Sequence, residues 1–306
     1  MTHVPTYVDV SARPTLRLHG PEALDLMQRI STNDVRSLTV GSVIGTILTT
    51  DKGRIRDVVS LLRVAEAELL LFGTIGPQSE LSGWIERFVI MEELTLSDAT
   101  NEFFRFELLW HPEPAQGGPG GSLQKVELIP GGAGTAWRFS DPATSGKALQ
   151  LVGDKRLEAH ARQYLEKEGF RAATEDSLRD FCVYYGVPIP GRELSVEYNP
   201  HEVGLLDLVS FTKGCYIGQE VVARLDTYKK VQRRLVSLEL SEKPAKLPAR
   251  LASGAEEVGS LTSSIFSDEL ANWIGTAYVR PAFLEHAAPA TYAGERREGV
   301  AKLRRV

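Results

Sequence analysis

The order of apolar and polar positions divides the chain into short strands and amphipathic helices. Leu16-Arg17-Leu18 alternates as a strand does and stops at Gly20-Pro21, where proline suits the first turn of a helix. Leu24, Met27 and Ile30 then recur at helical spacing up to the turn-favouring run Ser31-Thr32-Asn33-Asp34. Two β-branched-rich runs, 43–49 and 55–64, flank Asp51-Lys52-Gly53, which predicts a hairpin whose glycine supplies a positive φ. A strand over 69–72 follows, then a helix with Leu81, Trp84, Ile85, Phe88 and Val89 on its core side, then strands near 93–98 and 102–110. Prolines and glycines crowd 111–122, which predicts a surface excursion.

Beyond it, 149–152 reads as a strand and 155–168 and 175–185 as helices, the second capped by Thr174 with Glu175 and Asp176 in its first turn. Gly186 to Gly191 breaks the pattern, 192–212 reads as mostly loop, and a short helix begins at Gln219. After Arg234 the character turns to short β runs at 235–240, 256–265, 272–280 and 299–305, which predicts a C-terminal β-barrel. The whole reads as an α+β fold.

Composition narrows the class. With 42% hydrophobic and 25% charged residues over 306 positions, the chain is globular and long enough for two or three domains. A net charge of -5 argues against a nucleic-acid partner. No apolar run approaches the ~20 residues of a membrane helix, which argues against a membrane. Cys182 and Cys215 cannot make a disulfide framework, and the start lacks a signal-peptide pattern, so the expected compartment is the cytoplasm. Two cysteines and six scattered histidines give no metal-ligand spacing.

One segment concentrates reactive groups: Ser210-Phe-Thr-Lys-Gly-Cys-Tyr-Ile-Gly-Gln-Glu220. Gly214 and Gly218 let backbone approach a ligand or take turn angles, and Lys213 lowers the Cys215 pKa if the two side chains converge. Gln219 and Glu220 offer a donor–acceptor edge to a heterocycle. The same residues also read as a strand-to-helix junction around a packed cysteine, since free cysteine is among the most buried types.

Lys213-Gly-Cys-Tyr-Ile-Gly-Gln-Glu220, followed by Arg224, resembles the signature of the YgfZ family, relatives of the glycine-cleavage T-protein that include a mitochondrial iron–sulfur assembly factor. Thr32-Asn-Asp-Val35, Lys52-Gly-Arg-Ile55, Val258-Gly-Ser-Leu-Thr-Ser-Ser264 and Ile274-Gly-Thr-Ala-Tyr-Val279 extend the resemblance over nearly the whole chain. It implies a three-domain ring: a first domain of 1–45 plus 145–225, an inserted domain of 46–144, and a barrel of 230–306. It also implies tetrahydrofolate in a central cavity lined by Asn33, Asp57, Tyr184 and Lys213 to Glu220 (Gly214, Tyr216, Gly218 and Gln219 among them). The implied role is support of iron–sulfur enzymes, with Cys215, Lys213 and Asp57 as the chemical residues. A folate-dependent aminomethyltransferase or demethylase is the alternative.

The resemblance to the T-protein itself is broken at two places. Its acidic pair is matched here by Arg56-Asp57, and Arg56 is expected to stabilise the Asp57 carboxylate and weaken it as a base. Its pterin-gripping glutamate is matched by Tyr184, so Glu202 or Glu220 would have to supply the acid. Tyr184, Tyr185 and Tyr198 read either as lining of the pocket or as core near a helix end, the commoner place for aromatic residues. Arg224, Lys229, Lys230, Arg233 and Arg234 read either as a solvated face or as a dock for a polyglutamylated folate tail.

Overall fold

A computed structural model describes residues 4–110, 123–129, 134–228, 230–286 and 289–305. The expected excursion at 111–122 and Lys229 lie outside the described residues. Strands β1 (Thr6–Asp9) and β2 (Thr15–His19) lead to α1 (Ala23–Ile30), the hairpin β3 (Val43–Thr49) and β4 (Ile55–Ala65), β5 (Glu68–Phe72), α2 (Gln78–Glu86) and β6 (Thr95–Asp98). Next come β7 (Phe103–Leu109), β8 (Gln124–Ile129), β9 (Gly134–Ser140), β10 (Leu149–Asp154), α3 (Glu158–Lys167), β11 (Arg171–Ala173) and α4 (Glu175–Tyr185). The short α5 (Pro200–Val203) and α6 (Gln219–Tyr228) connect to β12 (Arg234–Leu240), β13 (Ala249–Ser253), β14 (Glu256–Ser267), β15 (Asn272–Val279), α7 (Pro281–His286), β16 (Ala290–Ala293) and β17 (Glu298–Arg304).

These strands form two open sheets and a closed barrel, an α+β architecture with the barrel at the C-terminus. One sheet runs β3-β4-β5-β2-β6, and α1 and α2 cover it through Leu26, Met27, Ile30, Leu81, Trp84 and Ile85. The other runs β11-β1-β7-β10-β9-β8. The two sheets meet where Leu62, Leu70 and Phe72 pack on Phe103, Phe139 and Val152. The barrel order is β12-β15-β14-β13-β16-β17, with β17 pairing back to β12.

The sheets divide the chain elsewhere than the expected boundary at residue 45. β2 pairs with β5 and β6, so residues 15–98 make one sheet, while β1 pairs with β7 and β11 in the other. Burial decides this: the register Leu16↔Leu71 and Leu18↔Leu69 places both leucines of β2 in the core under α1.

The short strands β1, β8, β9, β11, β13 and β16 were not predicted, and neither were α5 and α7. Three to seven residues seldom hold enough alternation to be distinguished from a loop. Thr174 occupies the position before α4, but its side chain makes no capping hydrogen bond; Gly186 ends that helix at φ 64°. The Gly53 hairpin forms as expected, with Gly53 at φ 65° and its N–H on the Thr50 carbonyl.

Candidate functional site

The residues expected around one cavity are distributed over several places. Lys213 is buried, and its ammonium donates to three backbone carbonyls: Gln28 and Ser31 at 2.7 Å and Asn33 at 2.6 Å. All three of its protons are thereby used, at and just beyond the C-terminal end of α1, where carbonyls lack helix partners. Burial pulls its pKa down to about 8. Tyr216 lies under the same ammonium at 5.4 Å and is itself buried, which raises its phenol to about 12. Asn33 is occupied locally, its amide donating to the Gly45 carbonyl at 2.9 Å and its oxygen accepting from the Asp34 N–H.

The rest of the signature is laced to the same region. Ser210 N–H donates to the Thr32 carbonyl, the Thr32 hydroxyl to the Leu208 carbonyl, and the Thr49 hydroxyl to the Ile217 carbonyl. Gly218, at φ 81°, sits so close to the hairpin that a Cβ would lie 2.4 Å from the Thr50 carbonyl oxygen. Gly214 has open space around it, and Cys215 is exposed. Gln219 and Glu220 open α6, while Glu220 and Arg224 face solvent. The segment is thus a brace between α1, the hairpin and α6, with one exposed thiol.

Asp57 stands in a different environment. It is 1% exposed, and its Oδ1 accepts three backbone N–H groups, from Val58 at 2.8 Å, Ile75 at 2.9 Å and Thr74 at 3.0 Å. Oδ2 is buried with no hydrogen-bond partner among the described residues. Burial raises the carboxyl to about 7, against the three N–H bonds and the field of Arg105, which lower it. Arg56 has no part in this. Successive residues of a strand face opposite ways, and Arg56 turns to Glu80, donating to its carbonyl at 3.0 Å and its carboxylate at 3.1 Å. The expectation that Arg56 weakens Asp57 as a base is corrected accordingly.

Thr74 and Ile75 are also part of the wall of a cleft of about 410 Å³, with Arg13, Leu178, Ile189 and Pro190 opposite. Asp57 is therefore one hydrogen bond behind that wall. A buried polar network stands next to it. Arg105, fully buried, donates to the carbonyls of Pro14 at 2.9 Å and Gly73 at 3.1 Å and to Gln150 at 3.3 Å; Gln150 donates to Asp141 at 3.1 Å. Glu107 accepts from Arg13 at 3.2 Å. Burial first, and then the Asp141 charge, push the Glu107 carboxyl well above its ordinary range, and burial lowers Arg105 to about 10.

None of these network residues was singled out from the sequence. The signal was the Phe-Arg-Phe-Glu alternation of 104–107, which marks a strand with a polar face.

Tyr184 lines another cavity, of about 330 Å³, with Trp110, Asp180 and Phe266, and packs against Tyr185 and the Arg304 guanidinium. Glu202 lines a third, of about 560 Å³. There it accepts from Arg54 at 3.0 Å and Arg233 at 3.1 Å, and closes a capping box with Asn199 on α5. Its carboxylate oxygens are thus engaged within the protein. Tyr198 stacks on Tyr278 at 3.9 Å beneath Arg233. Lys213 to Glu220 line none of these three cavities. Among the described residues no group of three or more His, Cys, Asp or Glu is placed to hold a metal ion, and no helix is long and apolar enough to cross a membrane.

Comparison with known proteins bears on this arrangement. Residues 3–109 match the family described as GCVT N-terminal domain, and residues 233–300 match the glycine cleavage T-protein C-terminal barrel domain. An aminomethyltransferase of Symbiobacterium thermophilum is 27% identical over 302 residues, covering 89% of this chain and 77% of that protein. One from Aquifex aeolicus is 28% identical over 284 residues, covering 89% and 74%. A chloroplastic protein of Arabidopsis thaliana that carries the name of a transferase is 26% identical, and the chain spans only 65% of its length. In structure, the glycine cleavage system aminomethyltransferase T of Bartonella henselae superposes with a TM-score of 0.81 at 15% identity, over 99% of this chain and 86% of that one.

Proposed function

From its place in the glycine-cleavage T-protein-like family, shared through both an N-terminal domain and a C-terminal barrel, we propose that the chain binds a reduced folate in the cleft beside Asp57. The observation that carries this reading is the state of Asp57: a buried carboxyl raised to about 7, with Oδ1 fixed by three N–H groups and Oδ2 unpartnered. A reduced pterin suits such a group once the wall formed by Thr74 and Ile75 moves aside, because its ring edge then presents N–H donors to the acceptor oxygen. The cleft, of about 410 Å³, has the size of small-molecule sites, and its wall mixes apolar Leu178, Ile189 and Pro190 with the charged Arg13, Glu175 and Arg179.

A bound reduced folate supplies a nitrogen that accepts or carries a one-carbon unit. Toward it, Asp57 holds or releases a proton near neutral pH at Oδ2, the condition for general acid–base work. The N–H groups of Val58, Thr74 and Ile75 keep the carboxyl aimed, and Arg105 keeps the Gly73 carbonyl, and so the loop that carries two of those donors, in place.

The wider role we attach to this binding is support of iron–sulfur enzymes in the cytoplasm. It rests on the resemblance of residues 213–220 and on the exposed Cys215 within them. The second reading, a folate-dependent aminomethyltransferase or demethylase, is favoured by one observation: Arg56 pairs with Glu80, which leaves Asp57 available as a base.

Titration of the purified protein with tetrahydrofolate, followed by intrinsic fluorescence, tests the binding. A measurable affinity that falls about tenfold or more in Asp57→Asn, about the loss of one charge-assisted hydrogen bond, is expected. Absence of affinity in folded protein, or equal affinity in the variant, would remove the proposal. Formaldehyde release from a methylamine donor would select the transferase reading. A fall in iron–sulfur enzyme activity on gene deletion, with glycine cleavage intact, would select the accessory role.

A further inference from the structure

The largest of the three cavities lies apart from the Asp57 cleft, where the β3–β4 hairpin, α6 and the barrel converge. Its volume is about 560 Å³, and its wall contains Lys52, Arg54, Lys230, Arg233 and Arg280. The hairpin supplies the first two, the linker into the barrel the next two, and the end of β15 the last. Five cations from three separate segments thus converge on one concavity of a protein whose net charge is -5.

The acids in the same wall are already engaged. Glu202 is buried and shared by Arg54 and Arg233, and Glu257 pairs with Arg250 at 3.0 Å, outside the cavity. Lys52 and Lys230 have no carboxylate within 4.0 Å among the described residues, and Arg280 pairs only with the exposed Glu256, a contact of the kind worth little in water. Counting the wall's charges, five positive against Glu202 and Glu257 leaves an excess of three. Closely spaced like charges facing a cavity repel, and an incoming anion relieves that repulsion.

We infer that this cavity is a binding site for a small anion carrying two or more negative charges. Its geometry is partly pre-organised. Glu202 anchors the Arg54 and Arg233 guanidinium groups, and Arg233 also lies 4.4 Å over the Tyr198 ring, so neither has to be ordered on binding. Lys52 and Lys230 are exposed, mobile point charges that close on the ligand. The recognised chemistry is that of oxyanions, whether phosphoryl groups or the side-chain carboxylates of an acidic tail. This site does not depend on folate binding beside Asp57.

The test uses the full chain with two probes, pyrophosphate and a triglutamate peptide, at constant ionic strength. At least one is expected to raise the melting temperature in proportion to its occupancy, while chloride does not. The double variant Lys52→Glu/Lys230→Glu should weaken that binding by about tenfold or more, since each swap turns an attraction into a repulsion of similar size. Both side chains are solvent-facing, and Arg280→Ala provides a second variant should the double one fold poorly. Which probe binds identifies the source of the anion. No shift with either probe, or a shift unchanged in both variants, overturns the site.

Discussion

The Thr74 N–H donates to Asp57 Oδ1 at 3.0 Å, so a residue in the cleft wall also holds the buried carboxyl behind it. Gly73 makes this approach possible: a Cβ there would lie 2.9 Å from Asp57 Oδ2 and 2.8 Å from the Leu81 side chain. A carboxylate with one oxygen saturated by N–H donors and the other left in apolar surroundings is held between two demands. The donors favour the anion and burial favours the acid, and the balance falls near neutrality.

That balance gives a pH dependence with a definite sign. The Asp57 carboxyl lies near 7 in the folded protein against an ordinary value of 3.8, so the folded state holds its proton more tightly. Its contribution to stability is present below about pH 4 and is lost as pH rises toward and through 7, on the order of 4 kcal/mol at about 1.4 kcal/mol per unit. Asp57→Asn keeps the shape and the Oδ1 bonds without the charge. Urea unfolding between pH 5 and 8 should show wild type losing stability relative to this variant as pH rises. Parallel curves would mean that Asp57 titrates normally.

Lys213 is expected to matter for folding. Its ammonium satisfies three carbonyls of residues 28, 31 and 33, and Lys213→Met leaves them without that donor. At roughly 1 kcal/mol or more for each buried acceptor, the loss should be about 3 kcal/mol in chemical denaturation. A change under about 1 kcal/mol would indicate that water replaces the amine freely.

Much of this could be read before the structure, and what could not has a common cause. The hairpin was legible because Gly53 and its β-branched flanks are a local signal, and α1 because Leu24, Met27 and Ile30 repeat locally. The barrel was legible from the run of strands after Arg234. The Lys213 contacts span about 180 residues and the Asp57 cradle joins strand β4 to residues 74 and 75, so neither has a pattern within a window of sequence. Arg56 is a different case. Once 55–64 is read as a strand, alternation alone turns Arg56 away from Asp57, and family resemblance to an acidic pair obscured it. Asn199-Pro-His-Glu202 likewise spells a capping box that marks α5 within what reads as loop.

The two glycines of the signature should separate cleanly. Gly218→Ala forces a side chain into positive φ and against the Thr50 carbonyl at 2.4 Å, neither of which can give without moving the hairpin. A cost of about 2 kcal/mol or more is expected in melting or urea experiments, from backbone strain plus overpacking. Gly214→Ala meets nothing within 4 Å and should fall within about 0.5 kcal/mol of wild type. Equal effects at the two positions would contradict the docking of the segment on the hairpin.

The two cysteines should differ sharply in reactivity, and for reasons separate from Lys213. Cys182 is fully buried in α4 against Phe181, Val187 and Ile189, and burial, reinforced by the Glu107 charge, pushes its thiol far up. Cys215 is exposed. Since the thiolate is the reacting species, native protein at pH 8 should take up one equivalent of an alkylating reagent at Cys215, with Cys182 reacting only on unfolding. Mass spectrometry of the labelled peptides reads this directly. The sequence suggested further that Lys213 activates Cys215. In the structure all three ammonium protons go to backbone carbonyls, so folded Lys213→Met should label Cys215 within about twofold of the wild-type rate, where a directly paired ammonium would change the thiol by a unit of pKa or more. The comparison has to be made at equal fraction folded, because the variant is also destabilised. A strong slowing under that condition would restore the ammonium–thiol coupling and give residues 213–215 a chemical role beyond their bracing of α1.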